Sequence, residues 1–356
     1  MSRFLHSRFA KLEAYTPGEQ PRDKAYIKLN TNESPYPPSP EVLAAVTEAD
    51  LKDLRLYSDP QGAGLKKALA GLYGRSPAEV FLSNGSDDIL NFAFMAFAQK
   101  GALFPDITYS FYPVFADLHG VSYEQIPVDK NFAINPADYQ GGGKLIVIAN
   151  PNAPTGMALT LEQLRSVLTQ NPDSVVLIDE AYVDFGAQSA AALVEQYPNL
   201  LVVMTYSKSR SLAGARLGFA LGNAEIIADL EKIKYSTNPY NVNRLTLKIG
   251  EAAVESHDYF IDNCRRIIET RESTVKALEA MGFTVLPSKA NFLFVKRAGL
   301  QGEALYSGLK DKGILVRHFN KPKLRDFHRV TIGTAEEMQS YLQAVQVIIE
   351  KGENPC

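Results

Sequence analysis

Short apolar runs without polar alternation recur along this chain at 80–82, 102–104, 145–149, 175–178 and 201–204. Runs of this kind read as strands covered on both faces, the pattern of a largely parallel sheet. A further strand is expected over 122–126, and a short apolar run follows Gly218. Stretches of helical period fall between them at 62–73, 86–98, 161–169 and 189–196. Strand and helix therefore alternate, which predicts an α/β domain whose ligand sits beyond the carboxyl ends of the strands. Upstream, residues 1–40 are irregular and rich in proline, an arm too polar for a core of its own. Pro40 opens a helix to about residue 52, with Ser39 as its N-cap. Downstream, 224–280 reads as mostly helical, with one long helix over roughly 251–280. It leads into an α+β unit with strands near 283–285, 292–295, 314–316 and 330–332 and helices at 302–311 and 335–350. Three parts are expected: an arm over 1–40, a large domain over 41–255 and a small α+β domain over 256–356.

Composition narrows the function classes without naming one. Of 356 residues, 46% are apolar and 22% charged, ordinary for a soluble globular protein. A net charge of −3 gives no electrostatic reason to expect nucleic acid or an anionic membrane as partner. The five histidines are scattered, and Cys264 and Cys356 form no motif, so no metal site or disulfide framework is indicated. No run approaches the roughly 20 apolar residues of a membrane span. The opening Met-Ser-Arg-Phe-Leu-His-Ser-Arg lacks the apolar core of a signal peptide. A reducing cytoplasm is the expected setting.

The chemistry gathers where strands end. After the run at 200–204 comes Thr-Tyr-Ser-Lys-Ser-Arg-Ser-Leu-Ala-Gly-Ala-Arg-Leu-Gly. A lysine at a strand end, flanked by hydroxyls and with an arginine eight residues on, fits a Schiff-base lysine beside a phosphate cradle. Lys208 would supply the amine, and Thr205, Ser207 and Arg216 would hold the phosphate; the bland alternative is a basic, Ser-rich surface loop. Asp179 closes the run Val-Val-Leu-Ile-Asp, where a carboxylate is costly unless it faces a cation or caps a helix. Asn-Gly-Ser-Asp-Asp at 84–88 is a strand-to-helix turn suited to a phosphate, or a plain capped turn. Asn-Pro-Asn-Ala-Pro-Thr-Gly at 150–156 is a rigid turn, and Thr108-Tyr109-Ser110-Phe111-Tyr112 offers an aromatic ring to a flat ligand or to the core. Arg317 and Arg329 lie inside strand patterns, where a guanidinium wants an anion.

Together these residues resemble the fold-type I pyridoxal-phosphate aminotransferases, and within them the histidinol-phosphate aminotransferase branch. The similarity runs from Tyr15-Thr-Pro-Gly and Leu29-Asn-Thr-Asn-Glu-Ser-Pro-Tyr to Val330-Thr-Ile-Gly-Thr. The Ser-Lys…Gly-Ala-Arg-Leu-Gly and Asp-Glu-Ala-Tyr signatures specify the superfamily; the Asn-Glu-Ser-Pro-Tyr opening specifies the branch less firmly. The resemblance implies an aspartate aminotransferase-like fold and pyridoxal 5'-phosphate as cofactor. It implies Lys208 as the Schiff-base lysine and proton carrier, Asp179 as the partner of the pyridine nitrogen, and Tyr182 as the partner of the ring's 3-oxygen. Tyr109 would stack on the ring. Ser86, Asp87, Thr205, Ser207 and Arg216 would surround the phosphate, and Tyr57 would reach it from a second copy in a homodimer. Arg329 would hold the substrate α-carboxylate, with Tyr15, Asn32, Asn291 and Arg317 as candidates for the rest of the substrate. One position departs: most relatives carry asparagine before Pro-Thr-Gly, and here it is Ala153. Asn152, one place upstream, is the candidate for the missing contact.

The activity implied is a ping-pong transamination of L-histidinol phosphate with 2-oxoglutarate, in histidine biosynthesis. An aromatic-amino-acid aminotransferase and a threonine-phosphate decarboxylase of cobalamin synthesis share much of the pattern. A degenerate or transcription-factor-like domain is disfavoured by the intact Lys208, Asp179 and Arg216 and by the lack of a basic extension. Neither GxSxG nor GxxxxGK[ST] occurs, which disfavours a hydrolase or a nucleotide-binding protein.

Overall fold

The computed structural model describes residues 2–10 and 12–353. Its thirteen strands, in chain order, are β1 (Ile27–Lys28), β2 (Val80–Ser83), β3 (Ala102–Pro105), β4 (Tyr123–Ile126), β5 (Leu145–Ala149), β6 (Val176–Asp179), β7 (Leu200–Thr205), β8 (Gly218–Gly222), β9 (Phe283–Val285), β10 (Phe292–Arg297), β11 (Ile314–Leu315), β12 (Arg317–His318) and β13 (His328–Thr331). Seven of them build the main sheet, in the order β2-β8-β7-β6-β5-β3-β4. Only β8 runs against the rest, since it pairs antiparallel with both β2 and β7. Every residue of β2, β3, β5, β6, β7 and β8 is buried, which is why these strands read as unbroken apolar runs. One cluster fills one face of the sheet with Leu65, Leu69, Ile146, Ile148 and Leu164. A second fills the other with Ile89, Phe94, Phe104, Tyr112 and Val147. The architecture is the expected α/β one.

The C-terminal unit is a four-stranded antiparallel sheet, β12-β13-β10-β9, covered by helices His257–Ala280 and Ala335–Glu353 around Phe260, Ile267, Leu293, Val330 and Tyr341. The 314–316 strand joins a different sheet. As β11 it pairs in parallel with β1, so residues 27–28 of the arm are hydrogen-bonded to the C-terminal unit.

Three helix expectations need correction, and one helix is unpredicted. The stretch from Pro40 is two short helices, Pro40–Ala44 and Glu48–Lys52, with Ser39 capping the first through Val42 and Thr47 and Asp50 forming a capping box on the second. The 189–196 segment is a 3-10 turn, Ala190–Leu193, set by the Ser189 hydroxyl on the Ala191 amide. The long helix over 251–280 is two, Arg244–Glu255 and His257–Ala280, broken at Ser256. The Ser256 hydroxyl bonds Ser39 at 2.8 Å and so ties the break to the arm. A helix the pattern did not predict, Phe111–His119, follows the aromatic stretch; its Pro113 falls in the first turn, where no intrahelical donor is needed. Cys264 is buried and free, and Cys356 lies outside the described residues.

Candidate active site

Since β2, β3, β5, β6 and β7 run the same way, their carboxyl ends meet at one edge. They open there into a cavity of about 810 Å³ between the main sheet, the arm and the C-terminal unit.

β6 delivers Asp179 as its last residue, buried. Its carboxylate accepts the Tyr112 hydroxyl at 2.8 Å and the Ala181 amide at 3.3 Å. Burial pushes its pKa up to about 6, against the pull of the Tyr112 bond, with the charge of Asp87 adding to the rise. A carboxylate so placed gains most from a cation brought into the cavity beside it. Three residues past β7 stands Lys208, whose Nζ donates to the Thr31 carbonyl at 3.2 Å and lies 5.9 Å from the centre of the Tyr182 ring. Burial lowers its pKa to about 8; the positive charge of Arg329 adds to that, while Glu33 and Asp87 oppose it.

An anion cradle forms where β2 turns into helix Ser86–Phe97. Gly85 precedes the helix at φ 88°, and no side chain caps the first-turn amides. A Cβ on Gly85 would lie 2.7 Å from the Arg216 guanidinium, and one on Gly218 would lie 2.5 Å from the Gly85–Ser86 peptide. Both glycines are required by close approach. Arg216 sits at φ 55°, a left-handed conformation that costs a non-glycine residue of order 1 kcal/mol. It aims the guanidinium at Asp87 (3.2 Å) and Ser207 (3.4 Å). Ser207 also receives the Thr205 hydroxyl at 2.9 Å. Cation, hydroxyls and helix amides converge as a phosphate needs.

The Tyr109 hydroxyl donates to Asp87 at 3.0 Å, and Tyr15 of the arm packs edge-on to the Tyr109 ring at 6.3 Å. Tyr182 and Asn32 line the cavity, joined by a 3.0 Å hydrogen bond. Arg329 spends one donor on the Asn30 carbonyl, while its buried Nε carries no partner. Arg317 faces the same space and donates to the carbonyls of Thr16 and Pro17 at 3.3 Å.

The expected residues thus gather around one cavity, with three exceptions. Asn152 is not at the wall: its amide is committed to the Ile107 carbonyl and the Thr155 hydroxyl, and its oxygen to Thr108. It holds two loops together, and its neighbour Ala153 lines the cavity instead. Asn291 stands behind the wall, donating to the Asn32 carbonyl at 3.0 Å. Tyr57 is 78% exposed, away from this protomer's cavity, and stacked on Tyr240 at 4.5 Å. In the sequence Tyr112 stands only within an aromatic stretch; its tie to Asp179, 67 residues away, has no local signal. Glu33, paired with Lys28 at 2.7 Å, is a further carboxylate at the cavity that the sequence did not single out. Among the described residues, no cluster could hold a metal ion, and no helix is long and apolar enough to cross a membrane.

Residues 24–345 match the family model for aminotransferase class I and II. The chain is 50% identical over 353 residues to a histidinol-phosphate aminotransferase of Brachyspira hyodysenteriae, covering 98% of this chain and all of that one. A histidinol-phosphate aminotransferase of Marinomonas sp. is 51% identical with the same coverage. Among solved structures, the histidinol-phosphate aminotransferase of Clostridium acetobutylicum superposes with a TM-score of 0.84 at 24% identity, over 91% of this chain and 99% of that one. The Sinorhizobium meliloti enzyme, solved with pyridoxal-5'-phosphate, gives 0.82 at 24% identity over 92% of each chain. At these identities the structural likeness carries the fold.

Proposed function

This chain belongs to the aminotransferase class I and II family, and on that premise we propose that it uses pyridoxal 5'-phosphate to transaminate L-histidinol phosphate with 2-oxoglutarate, giving imidazole acetol phosphate and L-glutamate. The observation that carries the substrate reading is the pair of guanidiniums, Arg329 and Arg317, at the cavity that holds Lys208; both donate only to backbone carbonyls among the described residues. Both of the substrates taken up are anions.

The residues present fit the cofactor. The cradle of Gly85, Ser86, Ser207 and Arg216 suits its phosphate, and Asp179 suits a protonated ring nitrogen. Bound there, pyridoxal phosphate supplies an aldehyde carbon and an electron sink. Lys208 brings the amine; with a pKa near 8, its Nζ can take the α-proton from the amino donor and later return it. Tyr182 offers a hydroxyl to the ring's oxygen substituent, and Tyr109 offers its face. Arg329 grips the phosphate of L-histidinol phosphate or one carboxylate of 2-oxoglutarate, and Arg317 adds a second guanidinium for that phosphate or for the other carboxylate.

We further propose a homodimer in the cytoplasm, with Tyr57 reaching the partner's cradle. Exposure of Leu43, Leu51, Leu54, Leu56 and Tyr57 on one stretch of chain supports an interface there. We read 1–40, 41–255 and 256–356 as arm, large domain and small domain. In support, helix Arg244–Glu255 packs on helix Ala63–Tyr73, while His257–Ala280 packs on the C-terminal unit.

The test is an absorbance spectrum of the purified protein with pyridoxal phosphate, followed on adding amino donors. A yellow band bleached by L-histidinol phosphate, and much less by phenylalanine or threonine phosphate, supports the reading. Bleaching by phenylalanine alone moves the enzyme to aromatic substrates. Carbon dioxide release from threonine phosphate makes it a decarboxylase.

A further inference from the structure

Asn32 lies on the arm, yet all four of its polar groups are engaged at the cavity wall. Its backbone N–H donates to the Thr331 hydroxyl at 3.0 Å, and that hydroxyl donates back to the Asn32 side-chain oxygen at 3.0 Å. Its carbonyl accepts from Asn291 at 3.0 Å. With Oδ1 held by Thr331, the amide Nδ2 is turned toward the Tyr182 hydroxyl and donates to it at 3.0 Å. The backbone stands at φ 57°, a left-handed conformation uncommon outside glycine and asparagine. Asn32 is 1% exposed, so this geometry is built into the wall.

A phenol has one proton and can both accept and donate. If the neighbouring side chain accepted from Tyr182, the hydroxyl's proton would point into the wall. Because Asn32 donates instead, the Tyr182 oxygen is occupied as an acceptor and its proton remains free for the cavity. A hydrogen bond received also makes the hydroxyl a better donor. The loop at 150–156 offers no help: beside the Tyr182 ring it places the Ala153 methyl.

We infer that Asn32 is a positioning residue, which fixes the Tyr182 hydroxyl as a donor to the oxygen substituent of the cofactor ring, rather than a group that binds substrate. The inference rests on the cofactor reading above. It deepens that reading by giving the arm a part in tuning the cofactor.

The readout is the pH at which the bound cofactor's long-wavelength absorbance is lost. A donor at the ring oxygen favours that oxygen as a free anion and so lowers this midpoint; losing the donor raises it. Asn32→Gly removes the amide while suiting the left-handed backbone. Asn32→Asp keeps the shape but accepts the Tyr182 proton, and serves if the glycine variant unfolds. Both should raise the midpoint by at least about half a unit, the scale of weakening one charge-assisted hydrogen bond. Tyr182→Phe should raise it too, and adding Asn32→Gly to Tyr182→Phe should move it no further. An unshifted midpoint in both Asn32 variants, or additive shifts in the double variant, overturns the inference while leaving the cofactor in place. Absence of any band in the unsubstituted protein is a different failure and overturns both readings.

Discussion

The Tyr112 hydroxyl donates to the Asp179 carboxylate at 2.8 Å, with the tyrosine fully enclosed and the aspartate nearly so. A buried anion is thereby kept polarised without a cation. Its pKa near 6 leaves Asp179 mostly charged at neutral pH, ready for a positive group that enters the cavity. Tyr112→Phe removes the largest opposing influence on that pKa, so the carboxyl becomes harder to ionise. The lost bond to a charged group is worth ~1.5–3 kcal/mol, so pyridoxal phosphate should bind roughly 10- to 100-fold more weakly. Titrating the cofactor into the apoenzyme by absorbance checks this; unchanged affinity would mean that Asp179 does not meet the ring nitrogen.

Lys208 sets the pH of cofactor capture. Only the neutral amine attacks an aldehyde, and in the apoenzyme burial lowers its pKa to about 8. The rate of colour formation after adding pyridoxal phosphate should therefore climb about tenfold per pH unit below that value and level off above it. An amine with an ordinary lysine pKa would keep climbing toward pH 10, which stopped-flow absorbance would reveal.

What the sequence made legible, and what it hid, divides along one line. Asp179 and Lys208 stand at the ends of strands whose residues are buried throughout, so their placement followed from local apolar runs. Arg216 was readable from its distance to Lys208, because only a short turn separates them. Asn152 was misplaced since its role depends on Ile107 and Thr108, which approach from another strand's end. The contacts of Asn32 with Tyr182, Thr331 and Asn291 join three distant stretches of chain, and no periodicity carries them. The break at Ser256 has neither Gly nor Pro to announce it, and the hydroxyl contact to Ser39 is tertiary.

The two guanidiniums should differ in weight. Arg329 has an unpartnered buried Nε, and burial lowers its pKa, so an incoming anion relieves it. Arg329→Lys keeps the charge but loses the fork, and should raise KM for both L-histidinol phosphate and 2-oxoglutarate by about 10-fold or more. Arg317 already donates to two carbonyls of the arm, so Arg317→Gln should raise KM for L-histidinol phosphate less than Arg329→Lys does. Half-reaction kinetics on each substrate would rank them; a larger effect at Arg317 would place the phosphate there.

Tyr57 provides the test of assembly. Its ring stacks on Tyr240, so Tyr57→Phe should leave the fold and the stacking intact. If Tyr57 bonds the phosphate across a dimer, losing its hydroxyl should weaken pyridoxal phosphate binding by about 10-fold. Light scattering should give twice the mass of one chain. A monomer with full cofactor affinity would contradict both the interface and this role.

Beside Asp179, Glu180 is buried and points the other way, accepting from the Ser189 hydroxyl and the Ala190 amide at 2.5 and 2.6 Å. Burial nonetheless pushes its pKa up to about 8, against those two bonds. An acid whose folded pKa exceeds its unfolded one stabilises the fold in its protonated form. That contribution is complete below the ordinary glutamate value and is lost as pH rises through about 8. Asp179 behaves alike over a lower window, ending near 6, so only a comparison with a variant at Glu180 isolates its share of the slope. Glu180→Gln keeps an oxygen for the Ala190 amide and cannot ionise. The cofactor-free variant should therefore match the parent most closely near pH 4, below the ordinary glutamate value, and outlast it by a few kcal/mol near pH 9, since each unit of pKa shift is worth about 1.4 kcal/mol. Thermal melting of both proteins across that range is the measurement. Parallel curves would mean that Glu180 is ionised throughout, held so by its two donors.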